Sequence, residues 1–416
     1  MSRIDLTDWI IHFVHSRIPE NDPREIFYDP EEEDCLEVPN NFNYDGEPIF
    51  QKDEYEEEDY GLEDDAEAFY VLKKILHDGI IKTGWSFRKG NATIYGPKAA
   101  TCFTEMPLYA LIEYSKTRSY SGYIEPYGIA FIKEELFEAG ARPVIYGLSG
   151  KHQEANETDP NFGIGIRTLT QSCGIGLKEM YRYVYTSIKS AKRIDWTHER
   201  EWRWADLQGE FDFAGMPFYA EEENISFSKI IVFVKSSDEV IKIIEYLQHL
   251  YHSENTNFGR LYNLSLIQNT HVLAIEDLER LDVNPVTIKF DDLPLHSIPK
   301  IEKVIVRPEV LEKVKAAIEK ASQIYYDESD RIFKQSGDNG LCGWANIQTY
   351  ESNTEITQAL MDLDIANSYG KGYYNISLNK SYPSQSLYID EPGKILAAKF
   401  LTEELGQHFG TTVTWD

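Results

Sequence analysis

Ile194-Asp195-Trp196-Thr197-His198-Glu199-Arg200-Glu201-Trp202-Arg203-Trp204-Ala205-Asp206-Leu207 is the stretch around which the rest of the chain is read. Trp202 and Trp204 alternate with Glu201 and Arg203, and a two-residue period marks a strand with one apolar and one polar face. That strand puts Glu201 and Arg203 on the same side. If the extended run begins as early as Trp196, Glu199 joins them, and the charged groups line up about 7 Å apart, twice the rise per residue. Two carboxylates and a guanidinium on one rigid face suit a site. A solvated charged face on an edge strand has the same pattern, so the partner strands have to decide.

Composition narrows the classes. The chain has 416 residues and is 42% hydrophobic, enough for two or three cores. No run of about 18 apolar residues occurs, and the N-terminus is too polar for a secretory leader. The 4 cysteines are scattered without a C-x-x-C pair, which argues against a zinc site or a disulfide framework and points to the cytoplasm. The net charge is -29, and the stretch from Glu20 to Glu67 holds 21 acidic residues against 2 basic ones, so about -10 is left for everything else. A broad grip on a phosphate backbone needs clustered Lys and Arg and is disfavoured. The acidic block reads as an insert over 20–66, either a solvated spacer or a docking surface for a basic partner.

In chain order, Asp8 to Arg17 reads as a buried strand carrying His12 and His15. Glu67 to His77 has helical spacing stopped by Gly79. A loop from Trp85 to Pro97 presents Arg88, a cation able to neutralise a phosphate. Ala99 to Glu105 reads as a buried strand with polar Thr104 near its end, followed by a helix over Leu108 to Tyr114. Strands follow at Tyr127–Ile132, Pro143–Tyr146, Ser228–Val234 and Val272–Ile275, with a helix after Ser236. Pro285, Pro294 and Pro299 mark a linker. The expected division is residues 1–295 and a C-terminal α+β domain over 296–416, with a long helix from Pro308 to about Tyr325, a strand around Gln348, and further elements at Thr354–Ala366, Tyr373–Leu378 and Gly393–Phe409.

Several motifs are incomplete. His198-Glu199 opens like a zinc-protease helix, but Trp202 stands where the second histidine belongs. The G-x-G after Phe162 has no helix pattern behind it, and neither a Walker loop nor a G-x-S-x-G elbow occurs. Cys342 has no histidine nearby in sequence, which favours structural burial over a nucleophile.

The segments "WIIHFVHSR", "LKKILHDGIIKTG", "TCFTEMPLYALIEY", "YGIAFIKEELFEAGARPVIYG" and "DWTHEREWRW" together resemble the bacterial abortive-phage-resistance AbiGi-like family. Through it they are similar in order and spacing to mono-ADP-ribosyltransferases of the DarT and diphtheria-toxin type. The resemblance covers most of residues 1–20 and 67–210. It implies an α+β fold with an ADP-ribosyltransferase-like split β-sheet core, and NAD as substrate. It also implies roles. His12 would hold the nicotinamide side of NAD, Thr104 would support the site, and Glu201 would stabilise the sugar cation as nicotinamide leaves. Glu199 would orient or deprotonate the acceptor, and Tyr127 or Trp85 would stack on nicotinamide; Arg88, read from its loop, would meet phosphate. The acceptor, protein or nucleic acid, stays open, as does a defence-system partner protein. Phe13 and Val14 follow His12 where the family carries small polar residues. The alternative is a non-enzymatic antitoxin or adaptor with a degenerate transferase fold that binds a partner through acidic surfaces.

Overall fold

Trp9-Ile-Ile-His-Phe13 forms the strand that its β-branched and aromatic residues predict, and a large sheet grows on both sides of it. The computed structural model describes residues 7–17, 62, 65–88, 91–107, 110, 125–163, 166–189, 193–207, 215–256, 259–279, 292–368 and 373–415. The acidic insert and the helix expected over Leu108–Tyr114 lie almost entirely outside the described residues. The chain is mixed α+β and divides into two units, Met1–Ile244 with Ser265–Ile298, and Glu245–Leu264 with Pro299–Asp416. Among the described residues, no helix is long and apolar enough to cross a membrane.

The first unit is built on eight strands: β1 (Trp9–Phe13), β2 (Thr101–Thr104), β3 (Gly128–Ile132), β4 (Arg142–Pro143), β5 (Glu201–Trp204), β6 (Ile230–Val234), β7 (His271–Ala274) and β8 (His296–Ser297). Their order is β8-β7-β6-β3-β1-β2-β5-β4. All neighbours are antiparallel except β6 and β7, whose crossover carries two helices, as a parallel pair requires. Ile230-Ile-Val-Phe-Val234 is buried along its whole length, the unbroken apolar run of a strand covered on both faces. Helix α1 (Ala68–Asp78) buries Ala68, Leu72 and Leu76, and it ends where Gly79 turns left-handed at φ 70° and returns its N–H to Ile75 O. A Cβ at Gly79 would lie 2.8 Å from Ala220 N, so the position is closed to larger residues. Helix α2 (Lys133–Glu138) follows β3 directly.

Helix α3 (Ser237–Ser253) lies in the β6–β7 crossover, and in the second unit helix α4 (Pro308–Ser336) is 29 residues long. It buries Val314, Ala317, Ile318, Ala321, Ser322 and Tyr325, the three-and-four spacing of one helix face. Helix α5 (Glu355–Asp362) is capped by Thr354, which accepts the Thr357 N–H at 3.0 Å. Helix α6 spans Leu387–Leu405. Strands β9 (Gly343–Thr349), β10 (Ala366–Asn367), β11 (Tyr374–Ile376) and β12 (Gly410–Trp415) form an antiparallel sheet in the order β10-β11-β9-β12.

Two expectations are corrected here. Helix α6 begins at Leu387 and runs through Pro392, although proline usually stops a helix and a start at Gly393 was expected. Packing overrides the local rule. Asp390 accepts from Tyr325 Oη and from Ala345 N, each at 2.6 Å, and Gly393 lets α4 approach so closely that a Cβ would lie 2.8 Å from Tyr325 O. The other correction is β12, a six-residue strand that lies beyond Phe409, where the last expected element ended.

Candidate functional site

The register of β5 against β2 builds the site. Glu201 stands opposite Thr104, Trp202 opposite Phe103, Arg203 opposite Cys102 and Trp204 opposite Thr101. Residues directly opposite in an antiparallel pair share a face. Glu201, Arg203, Cys102 and Thr104 therefore form one polar group, with the tryptophans on the reverse. There, Trp202 Nε1 donates to Glu105 Oε2 at 2.9 Å, and Lys133 Nζ holds Oε1 of the same carboxylate at 2.6 Å.

Arg203 is 3% exposed, so its donors must all find acceptors. Nε donates to Glu201 Oε1 at 2.7 Å, and Nη1 donates to the carbonyls of Tyr181 at 2.6 Å and Tyr183 at 3.3 Å. The guanidinium thus ties the strand to the turn Leu177–Arg182 above it. Glu201 keeps 17% of its side chain exposed, against 4% for Arg203. Its backbone N–H donates to Tyr146 Oη at 2.7 Å, and burial pushes that phenol up to about 12 with the Glu201 and Glu199 charges adding to the rise. Burial also pushes the Cys102 thiol up to about 12, so beside Glu201 it stays protonated and is no nucleophile at neutral pH.

Glu199 does not lie on the strand. The extended run starts at Glu201, Thr197–Glu199 is a 3-10 turn, and Arg200 follows in the left-handed region at φ 46°. The cause is local. Asp195 Oδ1 accepts from Thr197 Oγ1 at 2.6 Å and from Thr197 N at 3.3 Å, an Asx-type turn that competes with extension. The Thr104 hydroxyl then donates to the Glu199 carbonyl and pins the turn over β2. Glu199 and Glu201 are still near neighbours, since both act on Tyr146.

The structure does not bring His12 to this group. Ile11 stands opposite Thr104, so His12 alternates to the other face, where its ring meets Phe103 edge-on at 5.7 Å and Nδ1 bonds the Cys102 carbonyl at 2.9 Å. Burial lowers its pKa to about 4, which leaves a neutral imidazole at pH 7. Tyr127, at the head of β3, is separated from β5 by β1 and β2, roughly 14 Å at three strand spacings. Its hydroxyl donates to Glu239 Oε1 at 3.0 Å. Arg88 pairs through its backbone with Asn91 in a short hairpin, and its side chain lies outside what the structure describes. Sequence reasoning missed Tyr146 and Cys102. Nothing local marks Tyr146 as a partner of a strand 55 residues away, whereas the Cys102-Phe103-Thr104 alternation matches that of β5 and could have suggested Cys102.

Taken together, the group is a carboxylate fixed by a buried cation beside a phenol, with one edge open. It can accept hydrogen bonds from a hydroxyl and stabilise a positive charge brought against it. Among the described residues, no group of three or more His, Cys, Asp or Glu could hold a metal ion. Comparisons with family models, with curated proteins and with solved structures return no match.

Proposed function

We propose that the first unit is an NAD-dependent mono-ADP-ribosyltransferase of a bacterial anti-phage defence system, with Glu201 as its catalytic carboxylate. The observation that carries the reading is the Glu201 side chain, held at 2.7 Å by Arg203 yet still 17% exposed. The resemblance of the surrounding segments to AbiGi-like proteins adds to it. NAD supplies the ADP-ribosyl group, with nicotinamide as its leaving group. Glu201 sits against the positive charge that spreads over the ribose as the bond to nicotinamide breaks, and Arg203 fixes the carboxylate so that little reorganisation is needed. Glu199, tethered by Thr104, takes the proton that the acceptor gives up. His12 has no part in this reading, because it lies across the sheet, and the contact first assigned to it is proposed instead for Tyr146, whose hydroxyl accepts from the Glu201 backbone N–H.

The test is transfer of label from isotope-labelled NAD to a bacterial lysate. Glu201→Gln keeps an acceptor for Arg203 and should lower transfer by about 100-fold or more, the usual cost of removing one electrostatic stabiliser. Unchanged transfer would remove the assignment. Free ADP-ribose as the sole labelled product would identify a glycohydrolase instead.

A second reading draws on a different observation, the bonds from Arg203 to Tyr181 and Tyr183, which make the ion pair a brace between strand and turn. On that reading the chain is a non-enzymatic adaptor that binds a partner through its acidic surfaces. Deleting residues 22–66 would then abolish partner capture, and the intact chain would turn over no NAD.

A further inference from the structure

Strand β12 closes one edge of the second unit's sheet and, among the described residues, pairs on one side only, with β9. An exposed edge is normally protected by charge, proline or a bulge. Phe409-Gly-Thr-Thr-Val-Thr-Trp415 has no charged residue and no proline, in a chain that is 27% charged. Its apolar side chains are also accessible, with Trp415 61% and Val413 36% exposed.

Thr411, Val413 and Trp415 stand opposite Ile347, Ala345 and Gly343 of β9, and Ile347 and Ala345 are core residues. The three therefore share the helix-covered face of the sheet. On that face a groove of about 340 Å³ lies between α6 and the start of β12, lined by Ile395, Ala398 and Thr402 on one side and Phe409 and Thr411 on the other, with Lys399, Glu403 and His408 also lining it. The same strand thus carries a projecting indole at one end and, at the other, a groove in which Ile395, Ala398 and Phe409 give an apolar surface beside the charged Lys399 and Glu403, four residues apart.

We propose that β12 pairs antiparallel with β12 of a second copy of this chain, about a two-fold axis through Val413, so that each Trp415 fills the other copy's groove. The occupant follows from the register. A two-fold axis perpendicular to the sheet keeps both helix-covered faces on the same side, and pairing about Val413 sets each Trp415 opposite the other copy's Thr411, which lines the groove. The lack of charge along the strand removes the like-charge repulsion that self-pairing would otherwise meet in a chain of net charge -29. The result is a continuous sheet across two copies, a self-complementary interface that does not depend on what the first unit catalyses.

Sedimentation of the full chain across a concentration series tests this, with a reversible dimer expected. Val413→Lys sets two ammonium groups opposite each other and should leave only monomer, and Trp415→Ala should weaken the dimer by about tenfold or more, as removal of a central aromatic anchor does. Both positions are exposed, and an unaltered thermal unfolding curve will confirm that each variant is folded. Val413→Cys, in a Cys342→Ser background, should form an inter-chain disulfide on oxidation, since directly opposed Cβ atoms lie about 4.5–5.5 Å apart. A chain that stays monomeric throughout, a dimer that survives Val413→Lys, or a monomer that takes up an unrelated extended peptide along β12 would each overturn the proposal.

Discussion

Glu201 and Asp390 are two carboxylates built into the ends of strands and helices in different units, and they are satisfied in opposite ways. Glu201 is held through one oxygen by a buried guanidinium and keeps 17% of its side chain open. Asp390, 9% exposed, has both oxygens taken by neutral donors, Tyr325 Oη and Ala345 N, each at 2.6 Å. The second arrangement bolts α4, α6 and β9 together and leaves nothing to offer a ligand. The first leaves a carboxylate oriented but not enclosed, and that difference is why chemistry is assigned to one unit and not to the other.

Removing the cation is the strongest way to break the contrast. Arg203→Ala takes away the partner of Glu201 and leaves the carbonyls of Tyr181 and Tyr183 without their donor, so unfolding stability should fall by about 3–5 kcal/mol. Denaturant titration measures it, and a loss below about 1 kcal/mol would reduce the pair to a surface contact. Asp390→Ala should cost somewhat less, about 2–3 kcal/mol, because two neutral donors lose a charged acceptor. Hydrogen exchange should localise that loss to α4, α6 and β9 and leave the first unit's protection at the native level, as should the NAD turnover proposed for that unit; a change in the first unit would erase the division of labour.

The effect of His12 is absent at neutral pH and emerges only in acid. Its folded pKa, lowered by burial to about 4, lies below the ordinary value of 6.5, so the unfolded chain binds the extra proton first. Stability from keeping the ring neutral is complete above pH 6.5 and is lost progressively as pH falls through 6.5 toward 4. His12→Asn should flatten that part of the stability profile, and an NMR titration should give a midpoint near 4. A midpoint near 6.5 would put the ring in water and reopen it as a ligand contact.

Much of the fold was legible because periodicity is local. The alternation of Glu201-Trp-Arg-Trp204, the apolar run Ile230–Val234 and the stop at Gly79 each carry their signal within a few residues, and each forms the element that signal predicts. Where local rules compete with distant packing they mislead. Pro392 signals a helix start that the Asp390 and Gly393 contacts override, and the Asx-type turn at Asp195 keeps Glu199 off the strand.

The sequence by itself determined which residues alternate, where the charge is concentrated, and that Glu201 and Arg203 share a side. It could not determine what stands across from them. Which face His12 occupies depends on the pairing of Ile11 with Thr104, 93 positions along the chain, and one step of register would have moved the imidazole to the other side of the sheet. Only the tertiary structure, by fixing that register, put Tyr146 and Cys102 beside the carboxylate and sent His12 away.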